Sequence, residues 1–171
     1  MSTATAERQT VIPAGTWTLD PIHSAVTFRV IDATEFFASV NGRFQEFEGT
    51  IEAGETAEDT KIRGRIKADS ISTLQEQRDA HLKSPDFLDV SSNPEILFES
   101  TSVEPTGDSL RILGTVTMTG APQEIELDGR IHAAGHHEAS DTDRVLLSAQ
   151  GRLGFGPIDV DVSIDATALR S

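Results

Sequence analysis

The chain has 171 residues, 37% of them hydrophobic, with 14 Lys and Arg against 28 Asp and Glu and a formal net charge of −14 at pH 7. One domain is expected at this length, and the charge argues against a nucleic-acid partner or adhesion to an anionic membrane through basic residues, since both need clustered Lys and Arg. The absence of cysteine excludes disulfides, thiolate catalysis and Cys-ligated metals.

Residues 1–14 read as a flexible polar tail that ends at Pro13-Ala14-Gly15, and residues 15–171 as one barrel domain. The tail has neither the basic segment nor the apolar segment of a secretory signal. No apolar run approaches the roughly 20 residues a membrane helix needs. A cytoplasmic protein without stable membrane insertion is therefore expected.

From Gly15 onward apolar residues alternate with polar ones, the period of a strand with one buried face. Val26, Phe28 and Val30 alternate with Thr27 and Arg29; Val160, Val162 and Ile164 alternate with Asp161 and Ser163. Eight strands are predicted, at 16–31, 38–53, 60–70, 95–104, 109–119, 123–133, 144–156 and 158–168. Pro105-Thr106-Gly107-Asp108 and Gly120-Ala121-Pro122 mark tight hairpins, and 135–143 a longer polar one. Short connections favour antiparallel pairing, and closure removes exposed edges. The predicted fold is all-β: an eight-stranded antiparallel barrel with one short helix between strands 3 and 4. Glycines recur inside the strands, at 42, 49, 64, 114, 129 and 151, and most are read as bends.

Within the first strand, Asp20-Pro21 sets a bend, because the residue before proline is pushed to extended geometry. His23 and Ser24 next to Asp20 suggest a catalytic triad. Adjacent strand residues point to opposite faces, and no Gly-x-Ser-x-Gly elbow is present. Hydrogen bonding at the start of the barrel is the simpler role. Thr73 and Glu76 have the spacing of a capping box. Leu74, Arg78, His81 and Leu82 then follow at helical spacing until Pro85. A helix there could cover a barrel mouth. Arg78 and Asp79 either seal the barrel end through backbone and mutual pairing, or Arg78 and His81 meet a polar head group by charge-assisted hydrogen bonds.

His132, His136, His137 and Glu138 could form a metal cluster, but adjacent histidines in a polar loop lack the one-turn spacing of a zinc helix. No metal and no cofactor are expected. Arg152-Leu153-Gly154-Phe155-Gly156 reads as a strand entering a glycine turn, with Arg152 available to an acidic partner.

An eight-stranded barrel can be filled by side chains or hold one small ligand. The eight Phe are spread along the whole chain, which suits a lined cavity as well as a packed core. Val26, Phe28, Val30, Phe36, Phe37, Phe44, Ile66, Phe98, Ile112, Val116 and Met118 are the candidate lining residues.

Several of these segments, in this order, resemble the YceI-like family. They are Trp17 to Ser24 with Phe28, Gly42-Arg43-Phe44, the Arg78-Asp79-x-His81-Leu82 segment, Pro94 with Phe98 and Ser100, Gly114-x-Val116-x-Met118-x-Gly120, and Arg152 to Gly156. The resemblance implies a lipocalin-like barrel with an apolar tunnel for a long isoprenoid chain, either a polyprenyl phosphate or an isoprenoid quinone. It also implies a homodimer and non-enzymatic transport or storage. Arg78 and His81 would then sit at the mouth. The family often places Lys-His shortly after the first-strand Phe, whereas this chain has Ile31-Asp32. The alternatives are a small hydrolase or isomerase using His23, Asp79 or His81 as acid and base, and a filled barrel that only contacts other proteins.

Overall fold

The computed structural model describes residues 11–32 and 38–171; Phe36 and Phe37 lie outside them. The strands are β1 (Gly15–Leu19), β2 (Ala25–Asp32), β3 (Ala38–Phe44), β4 (Phe47–Ala53), β5 (Lys61–Lys67), β6 (Ile71–Ser72), β7 (Glu95–Thr106), β8 (Ser109–Met118), β9 (Ala121–His137), β10 (Thr142–Phe155) and β11 (Ile158–Arg170). Helix α1 (Glu76–Lys83) lies between β6 and β7.

These segments form eight staves. β1 with β2, β3 with β4, and β5 with β6 are each one long strand broken by a crease; the other five run unbroken. All neighbours are antiparallel. The ring closes because β11 pairs with β1 at Ala168–Arg170 and with β2 at Val160–Asp165. The eight predicted strands are present, and the ring closes through β1 and β11, while toward the mouth β3 meets β6 only at Arg43 and Phe44.

Of the three creases, the bend at Asp20-Pro21 was legible and the other two were not. The creases fall at 20–24, 45–46 and 68–70 on three adjacent staves. Backbone bonds across them, from Gln45 N–H to the Ser70 carbonyl and from Lys67 N–H to the Glu46 carbonyl, hold neighbouring staves together. None of the creases is made by glycine. The strand glycines, predicted as bends, instead make room for side chains. A Cβ on Gly42 would overlap the ring of Phe28, its cross-strand partner, and one on Gly114 would overlap the ring of Phe98. A missing side chain on one strand is where a neighbouring ring can lie flat.

Hairpin chemistry follows the turn residues. Thr119 and Gly120 both have positive φ (54° and 76°), the requirement of a two-residue type I′ loop. The 135–143 loop is shorter than predicted, because β9 continues to His137 and β10 begins at Thr142.

The strand directions place the hairpin at 54–60, the 107–108 turn, the 138–141 turn, the start of β1 and the end of β11 at one end of the barrel. This end, the floor, is packed. Trp17 is 1% exposed and Val145 and Ala168 are fully buried, with Ile51, Val103, Leu110 and Leu127 around them. Trp17 Nε1 donates to the Pro13 carbonyl (2.8 Å), and the Arg170 guanidinium lies 4.4 Å from the Trp17 ring centroid. Ile12, read as part of the polar tail, is 3% exposed and belongs to this core. The folded chain therefore begins before Gly15.

Candidate functional site

The opposite end, the mouth, differs. On four neighbouring staves the inward residues form three rows: Leu153–Val160–Val30–Val40, Gly151–Val162–Phe28–Gly42 and Ala149–Ile164–Val26–Phe44. Of these, Leu153, Val160, Val162, Ile164, Val26, Phe28, Val30, Val40 and Phe44 are all only half-buried. Alternation assigns their neighbours Arg152, Asp161, Arg29 and Asn41 to the outer face. These nine residues form the less tightly packed part of the inner wall, and four of them, Phe44, Leu153, Val162 and Ile164, also pack against the core. The Phe28 and Phe44 rings meet at 5.7 Å between centroids. The middle row has glycine at both ends, where the Phe28 ring lies on Gly42 and the Leu127 side chain comes against Gly151.

The sequence-predicted lining residues divide accordingly. Val26, Phe28, Val30 and Phe44 lie on this open wall. Ile66, Phe98 and Met118 are half-buried on the facing staves and, like Phe44, pack against the core. Ile112 and Val116 are 5% and 8% exposed and belong to the packed interior. Val40, Leu153, Val160, Val162 and Ile164 were missed as lining. Their alternation was visible, but nothing local distinguishes a loosely packed inward residue from a tightly packed one.

A lid crosses the mouth. Its first anchor is Thr73, whose backbone N–H and hydroxyl both donate to Asp79 Oδ1 (2.8 and 2.6 Å). Arg78 donates from Nε to Thr73 Oγ1 (2.8 Å) and from Nη2 to the Thr73 carbonyl (2.9 Å). Arg78 and Asp79 thus join α1 to β6. The predicted capping box is absent: Gln75 caps the helix, its side chain accepting from Arg78 N–H, because Thr73 is occupied by Asp79. The second anchor is Phe87, beyond α1. Its ring stacks on Phe155 (6.1 Å, 19° between planes) and takes His81 edge-on (4.9 Å). The lid leaves the β5/β6 stave, and Phe155 ends β10, four staves away around a ring of eight. The segment therefore spans the opening. His81 also faces Asp86 (3.4 Å) and, like Arg78, is exposed.

The other polar candidates are structural. His23 Nδ1 donates to Asp20 Oδ2 (2.6 Å), and Ser24 Oγ accepts from Thr167 N–H (3.1 Å), tying the first crease to β11. His23 sits at that crease and His81 and Asp79 in the lid, so the acid–base candidates are not one constellation. His132 bonds Ser148, His137 bonds Ser140, and His136 bonds Asp143 and Asp141 (2.8 and 3.1 Å). Among the described residues no three His, Asp or Glu side chains are arranged to hold a metal ion. Arg152 Nε donates to Asp161 (2.8 Å), which raises its pKa.

Two carboxylates carry a pH prediction. The hydrogen bond from His23, then that from Ile22 N–H, lowers the Asp20 pKa. Asp143 is lowered by hydrogen bonds from His136 and then Arg170. A carboxyl whose folded pKa is depressed adds stability above its unfolded value, near 3.9, and loses it as pH falls through the folded value. Asp143→Asn should therefore unfold more easily than wild type at neutral pH. The difference should shrink as pH falls below about 4 and vanish once Asp143 is protonated in the folded wild type. Urea denaturation at a series of pH values checks this; a gap that stays constant into strong acid would refute it.

Residues 17–168 match the YceI-like domain family. A UPF0312 protein of Pseudomonas aeruginosa is 33% identical over 114 residues, covering 66% of this chain and 59% of that protein. Protein YceI of Salmonella newport is 32% identical with the same coverage. The aligned stretch thus spans about three fifths of the relatives' length. Among solved structures, BcnA of Burkholderia cenocepacia superposes with a TM-score of 0.71 at 15% identity, over 87% of this chain and 98% of that one. A polyisoprenoid-binding domain from Saccharophagus degradans gives 0.67 at 14% identity, over 91% and 98%. At these identities the superpositions show the fold.

Proposed function

The chain belongs to the YceI-like domain family, and we propose that it holds a long isoprenoid lipid, a polyprenyl phosphate or isoprenoid quinone, in the mouth half of its barrel. The observation that carries this reading is the inward apolar wall of β2, β3, β10 and β11, on which nine apolar side chains stay only half-buried. Each CH₂ buried there stabilises the complex by about 0.8 kcal/mol, so one isoprene unit offers roughly 3–4 kcal/mol before the costs of association. A few units suffice for tight binding with little help from the head group. That suits a site whose most cationic mouth residue, Arg78, is committed to Thr73. The head group stays under the lid, near His81. The resolved polyisoprenoid-binding relative of the same fold supports this choice of guest.

The function is carriage or storage by desolvation, with no covalent step. Native mass spectrometry of protein purified gently from its host, followed by lipid extraction, tests it. A stoichiometric isoprenoid adduct is the expected result. Protein that arrives empty and also refuses added polyprenyl lipid would overturn the reading.

A further inference from the structure

The outer wall carries a second feature, independent of the lipid reading. Behind the lining rows, the outward residues of the same four staves form a grid. One row is Arg152–Asp161–Arg29–Asn41, and the next is Gln150–Ser163–Thr27–Arg43–Ser72. Together they floor an open hollow of about 1020 Å³, edged by Leu74.

The charges in this hollow are unbalanced. Asp161 is its one lining carboxylate, against Arg29, Arg43 and Arg152. Asp161 is taken by Arg152. Arg29 and Arg43 make no ion pair among the described residues, although they are diagonal neighbours across β2 and β3. Diagonal positions on one sheet face lie about 7–8 Å apart, within reach of long side chains, and like charges so placed repel.

A hollow on the far wall, of about 510 Å³, serves as an internal comparison. Its arginines are neutralised: Arg63 faces Glu99, and Arg65 faces Glu48 and Glu95. In a chain of net charge −14, carboxylates are abundant, yet among the described residues the only carboxylate opposite Arg29 is Asp161, which is bonded to Arg152, and Arg43 has Thr27 and Ser72 as its cross-strand neighbours. The amide and hydroxyl groups of Asn41, Gln150 and Ser163 add neutral hydrogen-bonding capacity around the two cations.

We propose that this hollow binds a phosphate-bearing ligand, with Arg29 and Arg43 clasping the phosphoryl oxygens. Guanidinium forks suit phosphate because two N–H groups meet two oxygens at once. The net negative charge elsewhere does not forbid this, because at about 0.1 M ionic strength charges more than about 10 Å away are largely screened. The site lies outside the barrel and so differs from the place assigned to the lipid.

Isothermal titration of the full chain with inorganic pyrophosphate, with inorganic phosphate in parallel, tests the proposal. Saturable binding that weakens with added salt is expected. Affinity should fall at least tenfold in the double variant R29Q/R43Q. In R29K/R43K, which keeps the charge but loses the fork, the loss should be smaller. Binding should be unchanged in R63Q/R65Q on the paired wall. Circular dichroism establishes that each variant is folded. Flotation with phosphatidylglycerol vesicles separates the two sources of phosphate: binding lost in R29Q/R43Q assigns a lipid head group, and pyrophosphate binding without flotation assigns a free ligand. Absence of both, or losses equal in R29Q/R43Q and R63Q/R65Q, would overturn the site. Because these readouts do not involve the barrel interior, failure here leaves the isoprenoid reading standing, and an empty barrel leaves this site standing.

Discussion

Val162→Trp should empty the barrel of lipid while leaving it folded. Val162 sits at the centre of the open wall, flanked on its row by Gly151 and by Phe28 over Gly42. It faces inward and is only half-buried. An indole placed there enters the space that the guest would occupy. Lipid uptake should drop by tenfold or more, a loss of at least about 1.4 kcal/mol in binding. Stability should fall less than at a fully packed position, because Val162, though packed against the core, is only half-buried. The matched control is Val145→Trp at the floor, where Val145 is fully buried. There the extra atoms must displace close-packed side chains, so about 1–3 kcal/mol or more should be lost. Urea denaturation of the two variants compares the two ends of one barrel directly. Equal destabilisation would mean that the mouth half is packed like the floor, and the cavity reading would fall with it.

Trp17→Ala should be the most destabilising single change in the chain. Trp17 is the largest fully buried side chain, inside the floor. Truncating a buried Trp to Ala costs about 3–5 kcal/mol through lost transfer energy and the cavity left behind. The variant would also lose the hydrogen bond to Pro13 and the Arg170 contact, which tie Pro13 and Arg170 to the floor. With net stabilities of about 5–15 kcal/mol for whole domains, this is a large fraction of the total. For a chain of this size the melting temperature should fall by roughly 10 °C or more. Trp17→Phe should recover much of the packing but not the bond to Pro13. A thermal melt within a few degrees of wild type for the Ala variant would show that the floor is not the barrel's main core.

Much of the fold was legible because alternation is a local signal. Val26-Thr27-Phe28-Arg29-Val30 states which residues share a face without reference to any other segment, and Gly107 and Gly120 mark where the chain reverses, although Ala121 and Pro122, read as part of the second turn, already belong to β9. The position of α1 between β6 and β7 was equally readable from its spacing and from Pro85. Its cap was not. Thr73 and Glu76 match a capping box, yet Thr73 is claimed by Asp79 and Arg78 in the folded chain, and the helix starts later on Gln75. A side chain with two possible partners is assigned by tertiary geometry. The strand glycines followed the same logic. Their lack of a side chain was plain, but that Phe28 and Phe98 lie over Gly42 and Gly114 depends on the register between strands.

By itself, the sequence determined the strand count, the inward and outward faces, the closure into a barrel and the presence of a helical lid, since each follows from periodicity or turn chemistry within a few residues. Only the tertiary structure decided that the floor is closely packed and the mouth half less so. It alone showed that the lid reaches Phe155 on the opposite stave and that Arg29 and Arg43 share a hollow whose one lining carboxylate, Asp161, is bonded to Arg152. The physical reason is that packing, a span and an unpaired charge are properties of the space between staves. That space is set by side chains contributed from up to eight separate stretches of the chain, none of which carries a local trace of what the others leave empty.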